Sequence, residues 1–232
     1  MELKNRGVVC TLGPSSWNHI KELMDHGMKI ARINGSYGIP YKGAIKELKD
    51  YGIPILVDIP GTRIKKKIDY IEDEDLINFS IEHKVNYVGI SYVKNAQEVI
   101  NLKNRLNQHG IKVIAKIETK EALENREEII KAADGILIDR GDLGTAIGYE
   151  KVPKGQISIL EDCKKYDKPV IVATEMMMST INSNKPSCAD VSDVYFALHH
   201  GADYVMLSEE TALGKNPLET LKIVGRIIKE FE

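Results

Sequence analysis

Lys112–Gly141 reads KVIAKIETKEALENREEIIKAADGILIDRG, and this stretch decides the fold. Its two ends, KVIAKIE and GILIDRG, are short and near-continuously apolar. Runs of this kind suit parallel strands buried on both faces. The segment between them shows the polar–apolar spacing of a helix. The same rhythm extends in both directions along the chain. Further strand-like runs are Gly7–Gly13, Lys29–Gly35, Pro54–Ile59, Tyr87–Val93, Pro169–Glu175 and Tyr204–Glu210. Eight strand–helix units in 232 residues average 29 residues each, close to the minimum for a (β/α)8 barrel. An open doubly wound sheet would call for a glycine-rich phosphate loop, and no GxGxxG is present. The expected architecture is therefore a single (β/α)8 barrel, one domain over residues 1–232.

The punctuation agrees with this reading. Gly27, Gly52, Gly110 and Gly201 precede strand runs and suit short helix-to-strand turns. In Asn95–Gly110, Val99, Leu102 and Leu106 share a helical face, with Gly110 as the cap. In the last segment Asn216 is the expected N-cap and Pro217 the first helical residue, while Leu221, Val224 and Ile228 share a face. Pro60–Glu72, a basic stretch after the third strand, reads as a solvated loop.

Composition narrows the function classes. A hydrophobic content of 43% and a charged content of 28% describe a globular chain rather than a disordered one. The net charge of −2 supplies no basic field for nucleic acid or an anionic membrane. No apolar run approaches a membrane span, and the N-terminal MELKNRGVVCTLG has no signal-peptide pattern. Cys10, Cys163 and Cys188 cannot form an even disulfide framework and lack metal-ligand spacing. A reducing cytoplasm is the expected location. The six histidines all map to helices or helix ends, which argues against His general-base catalysis. Met176–Met178 is expected to line core or a subunit contact.

In such a barrel the chemistry sits at the C-terminal ends of the strands. Polar residues interrupt the apolar runs at those ends: Arg32, Asn34, Ser36, Asp58, Ser91, Lys116, Glu118, Arg140, Asp142, Thr174, Glu175, Ser208 and Glu210. Some of these are expected to be structural ion pairs. Lys116 and Glu118 lie two apart on one strand and share a face. Glu118 and Asp142, from neighbouring strands, offer hard oxygen ligands for Mg²⁺ or Mn²⁺. A lysine beside that ion would stabilise a developing oxyanion. The set suits a 2-oxo acid and its enolate. The glycines of RGDLG, at the expected start of a helix, would present N–H groups to a carboxylate.

The chain resembles the barrel domain of the pyruvate kinase family from about Gly7 to its end. The resemblance rests on CTLGPSSW, MKIARINGSYG, VDIPGTRIK, SYVKNAQEV, IAKIE, DGILIDRGDLG, PVIVATEMMMSTI, the SDV of SCADVSDV, and GADYVMLSEETALGKNPLET. It implies pyruvate or phosphoenolpyruvate as ligand, with Mg²⁺ and K⁺ as ions. Glu118 and Asp142 become the Mg²⁺ ligands and Lys116 the cation at the enolate or transferring phosphoryl. Gly141, Asp142 and Thr174 become contacts to the substrate carboxylate. Arg32 becomes the contact to the substrate phosphate, with Arg140 in support. Asn34, Ser36, Asp58 and the Ile59 carbonyl match the K⁺ site, and Ser208 and Glu210 the structural and proton-relay positions. Association of barrels through helices six to eight is the oligomeric arrangement implied.

Departures from the family pattern shift the expected reaction. Members insert a lid domain after strand three, where this chain has about a dozen residues, and carry a further C-terminal domain. NFSHG reads NGSYG, which places Tyr37 where a nucleotide-contacting His is expected. Lys65 replaces an arginine, TQM reads TEM with Glu175, and SGET reads SEET with Glu209. The enolate-and-metal half of the site is kept and the nucleotide half is eroded. The expectation is therefore a Mg²⁺-dependent enzyme that stabilises the enolate of a 2-oxo acid for carbon–carbon chemistry, either aldol addition or cleavage or decarboxylation. In that role Glu175 or Glu209 would serve as acid or base. The alternatives are a minimal pyruvate kinase and a non-catalytic phosphoenolpyruvate-binding sensor.

Overall fold

The structure, a computed structural model, describes residues 6–34, 41–60 and 73–231. Ser36, Tyr37 and Lys65 lie outside the described residues. The strands are β1 (Gly7–Thr11), β2 (Met28–Ile33), β3 (Ile55–Ile59), β4 (Tyr87–Ile90), β5 (Lys112–Ile117), β6 (Gly135–Asp139), β7 (Val170–Ala173) and β8 (Tyr204–Leu207). They follow one another in chain order around a closed parallel barrel. The helices are α1 (Ile20–Asp25), α2 (Tyr41–Asp50), α3 (Asp73–Glu82), α4 (Ala96–Leu106), α5 (Lys120–Glu124), α6 (Arg126–Ala132), α7 (Arg140–Ile147), α8 (Val152–Lys165), α9 (Cys188–His199), α10 (Glu209–Ala212) and α11 (Pro217–Phe231). The expected (β/α)8 barrel is the observed one. Every residue of β1, β3, β6, β7 and β8 is buried, which is why those runs carry no polar alternation.

The chain divides into two compact units, residues 1–55 with 173–232 and residues 56–172. In the first unit β1 pairs in parallel with β2 and β8, with Val9 opposite both Ile30 and Met206. Helix α11 packs on α9 and on β1. The Thr211 hydroxyl, on α10, donates to the Thr11 carbonyl at 2.9 Å and ties that helix to β1. In the second unit β4 lies between β3 and β5, and β5 pairs with β6. Helices α4, α6 and α8 pack in succession along this unit.

Local chemistry explains the element ends. Gly27, Gly52, Gly110 and Gly201 all take positive φ, from 70° to 113°, which a side chain would resist. The Asn95 side chain accepts from the Glu98 N–H at 3.1 Å and starts α4, whose Val99, Leu102 and Leu106 are buried. Pro217 opens α11, and the Thr220 N–H reaches the Asn216 carbonyl at 3.0 Å. The buried arc of α11 runs through Thr220, Leu221, Ile223, Val224 and Ile227. Ile228 falls at its edge and is half-buried, a correction to the expected stripe. Met176 and Met177 are fully buried, whereas Met178 is exposed.

The strands stop earlier than their apolar runs suggest. β6 ends at Asp139 and helix α7 begins at Arg140, because the Asp139 side chain caps the Asp142 N–H at 3.4 Å. β4, β7 and β8 likewise end before Ser91, Thr174 and Ser208. Tyr92, Thr174 and Glu175 have φ of 56°, 63° and 54°, so the backbone turns out of the strand there.

Gly13 marks a close approach just past β1. A Cβ there would lie 2.5 Å from the Ala212 carbonyl oxygen and 2.7 Å from its Cα. Backbone cannot yield as a side chain can, so Gly13→Ala should cost about 1–3 kcal/mol. That corresponds to a fall of roughly 3–10 °C in Tm by differential scanning calorimetry. Gly43→Ala on α2, where nothing lies within 4 Å of the new Cβ, should raise Tm slightly.

Candidate active site

In the unit spanning residues 56–172, β5 directs Lys116 inward and the next residue of that face is Glu118. The Lys116 ammonium lies 2.9 Å from Glu118 Oε2, 3.2 Å from Asp139 Oδ2 and 3.8 Å from Asp58 Oδ2. It also donates to Ser91 Oγ at 3.2 Å. Each of these charged side chains is less than 10% exposed. An isolated ammonium could not stay charged at such depth. Gly89 makes room for the arrangement, since a Cβ on it would overlap Asp58 Oδ1.

Asp142 stands in the first turn of α7. Its carboxylate accepts from the Tyr92 hydroxyl at 3.0 Å. The Tyr92 N–H donates to Glu118 Oε1 at 2.5 Å. Oxygens of Glu118, Asp139 and Asp142 all lie within 4.8 Å of one another. The Lys116 ammonium and Asp58 also face this group, whose carboxylates offer hard oxygen ligands. Its donor chemistry fits Mg²⁺ or Mn²⁺. Burial raises the Glu118 carboxyl to about 7. The Lys116 charge opposes that rise, the Asp139 charge adds to it, and hydrogen bonds from Lys116 and Tyr92 oppose it.

Arg140, the first residue of α7, is buried, and Gly141 beside it is half-buried. The Gly141 carbonyl accepts from the Thr145 hydroxyl at 3.0 Å. Asp58 and Ile59 close β3, and the Ile59 carbonyl accepts from the Ser91 N–H at 3.2 Å.

The other unit, residues 1–55 with 173–232, holds the remaining expected residues. Arg32 on β2 is buried and donates to the Thr11 hydroxyl at 2.9 Å. Asn34 is half-buried just past that strand. Thr174 is half-buried and donates to the Ala173 carbonyl at 2.7 Å, and Glu175 is exposed. Glu210 is fully buried, and its carboxylate accepts from the Ser208 N–H at 2.6 Å and the Met177 N–H at 3.3 Å. Burial raises its pKa, and these backbone donors oppose the rise. Cys10 lies buried in β1, and desolvation followed by the nearby Glu210 charge raises its thiol far above the usual range. That thiol is not a nucleophile. Among the described residues no helix is long and apolar enough to cross a membrane. The three cysteines form no disulfide.

Asp139 and Tyr92 belong to the cluster but were not among the expected site residues. A carboxylate inside the run GILIDRG was a signal for Asp139. Tyr92 had none, because its two contacts depend on a backbone angle.

A family model, Pyruvate kinase, barrel domain, matches residues 43–221, which include the whole Lys116 cluster. The chain belongs to the pyruvate kinase family. Pyruvate kinase of Thermotoga maritima is 42% identical over 178 residues, covering 76% of this chain and 38% of the relative. The enzyme of the same name from Thermococcus litoralis is 35% identical over 215 residues, covering 92% of this chain and 42% of the relative. That from Methanocaldococcus jannaschii is 38% identical over 177 residues, covering 75% and 39%. The chain thus spans about two fifths of the length of the curated pyruvate kinases it matches.

Two outcomes follow from this pyruvate kinase barrel's carboxyls. If Glu118 takes a divalent ion, a proton on it would compete for the same oxygens. Mn²⁺ affinity, read from the electron paramagnetic resonance of the free ion, should therefore fall as pH drops below about 7. The slope should approach tenfold per unit. An affinity flat from pH 8 to 6 would remove Glu118 from the ligand set.

Glu210 gives the second outcome. Its folded pKa exceeds the ordinary 4.5, so the folded state binds the extra proton and this group's contribution to stability declines as pH rises above 4.5. Glu210→Gln lacks that titration but turns an amide N–H₂ towards a backbone donor. By urea denaturation the variant should be about 1–3 kcal/mol less stable at pH 5, with a smaller deficit at pH 8. A deficit that grows with pH would contradict the assignment.

Proposed function

We propose that the chain is a divalent-metal-dependent phosphotransferase of the pyruvate kinase type, with the barrel over residues 1–232 as its working unit. The reaction moves the phosphoryl group between phosphoenolpyruvate and a nucleoside diphosphate, with the enolate of pyruvate as the departing or attacking group. The observation that carries this reading is the buried Lys116 ammonium held beside Glu118 and Asp139, next to Asp142. The name shared by the relatives supports phosphoryl transfer over the carbon–carbon chemistry expected from the sequence.

Each residue then has a task. Lys116 neutralises the enolate oxygen left when the bond between phosphorus and that oxygen breaks. Its fixed position means little reorganisation is needed as charge develops. Arg32 takes the substrate phosphate, with Arg140 in support. Gly141, Asp142 and Thr174 receive the substrate carboxylate. Ser208 and Glu210 serve the proton step at the methylene carbon, where Glu210 orients Ser208 through its N–H. A Mg²⁺ or Mn²⁺ ion on Glu118 and Asp142, with Asp139 adjacent, would supply Lewis-acid charge to the substrate oxygens. A K⁺ ion would draw on Asn34, Ser36, Asp58 and the Ile59 carbonyl.

A second reading retains the enolate without a nucleotide. It is favoured by the connection between β3 and α3, residues 60–72, which is too short to hold the lid domain that the resemblance implies. A lid excludes water during phosphoryl transfer. Enolate chemistry on a 2-oxo acid, with Glu175 or Glu209 as acid or base, makes less demand of that kind.

The test uses Mg²⁺, K⁺ and deuterated buffer. One tube contains pyruvate, and exchange of its methyl protons is followed by NMR. The other contains phosphoenolpyruvate and ADP, and ATP is measured. ATP formation is the expected result. Exchange with no ATP would replace the proposal with the second reading, and neither activity would reject both. Glu118→Gln should lower kcat/KM by about 100-fold or more while the circular dichroism stays unchanged.

A further inference from the structure

Tyr92 is the second residue past β4, and its φ is 56°. A bulky side chain seldom takes this left-handed conformation, which costs about 1–3 kcal/mol. Something in the surroundings must hold it, and two hydrogen bonds do so. The backbone N–H reaches Glu118 Oε1 at 2.5 Å, and the phenol reaches Asp142 Oδ2 at 3.0 Å. One residue therefore touches both carboxylates assigned to the divalent ion, one through its backbone and the other through the tip of its ring.

The arrangement has a physical consequence. Glu118 follows β5 and Asp142 lies in α7, so the two are held by different elements. A carboxylate that follows a strand and another on a helix would each sample several rotamers. Tyr92 binds one oxygen of each, while the second Glu118 oxygen lies 2.9 Å from the Lys116 ammonium. A phenylalanine here would fill the same volume and leave Asp142 without this partner.

We propose that Tyr92 is the positioning residue of the metal centre: it clamps Glu118 and Asp142 at one spacing and so sets the affinity for the divalent cation. This inference rests on the metal reading of the cluster given above. Donors that orient ligating side chains commonly change metal affinity 10–100-fold when removed.

The experiment compares the full chain with Tyr92→Phe and Glu118→Gln. Tyr92→Phe keeps the ring and the backbone N–H and removes only the hydroxyl. Mn²⁺ Kd is read at pH 8 from the free-ion resonance signal, and Tm from calorimetry without metal. The expected result is a Kd about tenfold higher for Tyr92→Phe with little change in Tm, and a larger loss for Glu118→Gln. If Glu118→Gln weakens binding but Tyr92→Phe leaves Kd within twofold, the clamp is refuted and the metal reading stands. A lowered Tm with an unchanged Kd has the same meaning, since the hydroxyl then serves only packing. If neither variant alters Kd, the metal reading falls and the clamp falls with it.

Discussion

A buried ammonium organises the unit spanning residues 56–172. Lys116 is about 4% exposed, and its charge is tolerable only because Glu118, Asp139, Asp58 and Ser91 surround it. Those partners come from β3, the turn after β4, the end of β5, and β6. Parallel pairing in chain order puts these strand ends side by side. Loss of one partner would leave a buried charge uncompensated, so strand order, register and the small Gly89 are tied to one ion network. Under the proposed function, a divalent cation would draw on the carboxylates of Glu118 and Asp142 within this network.

The C-terminal strand ends share a second property. Apolar runs continue past the last paired residue, yet the backbone leaves the strand there. Tyr92, Thr174 and Glu175 turn through positive φ, and Asp139 caps a helix that starts at once. Short-range strain of this type is retained where the surroundings over-determine it. Tyr92 illustrates the exchange: an unfavourable backbone angle is set against two hydrogen bonds to carboxyl groups.

Much of the architecture was legible in the residues. Strands buried on both faces lack alternation, so eight Val- and Ile-rich runs announced the barrel before any contact was known. The glycines at 27, 52, 110 and 201 marked turns that do take positive φ. Pro217 marked the start of α11, since helix starts depend on groups within one turn. Lys116, Glu118 and Asp142 stood out as charges inside or beside apolar runs. All of these signals are local: they depend on periodicity or on neighbours a few residues apart.

Tertiary structure decided the rest. Whether β6 ends at Asp139 or Gly141 turns on a cap and a strand pairing, not on hydropathy. Asp139 becomes a partner of Lys116 only when β5 and β6 lie adjacent. Tyr92 reaches Glu118 and Asp142, 26 and 50 residues away in the chain, through one backbone angle and the packing of three separate segments. The sequence carries the types and spacing of the charged groups. It does not carry the distances between them, because those arise from hydrogen bonds and register between segments far apart in the chain.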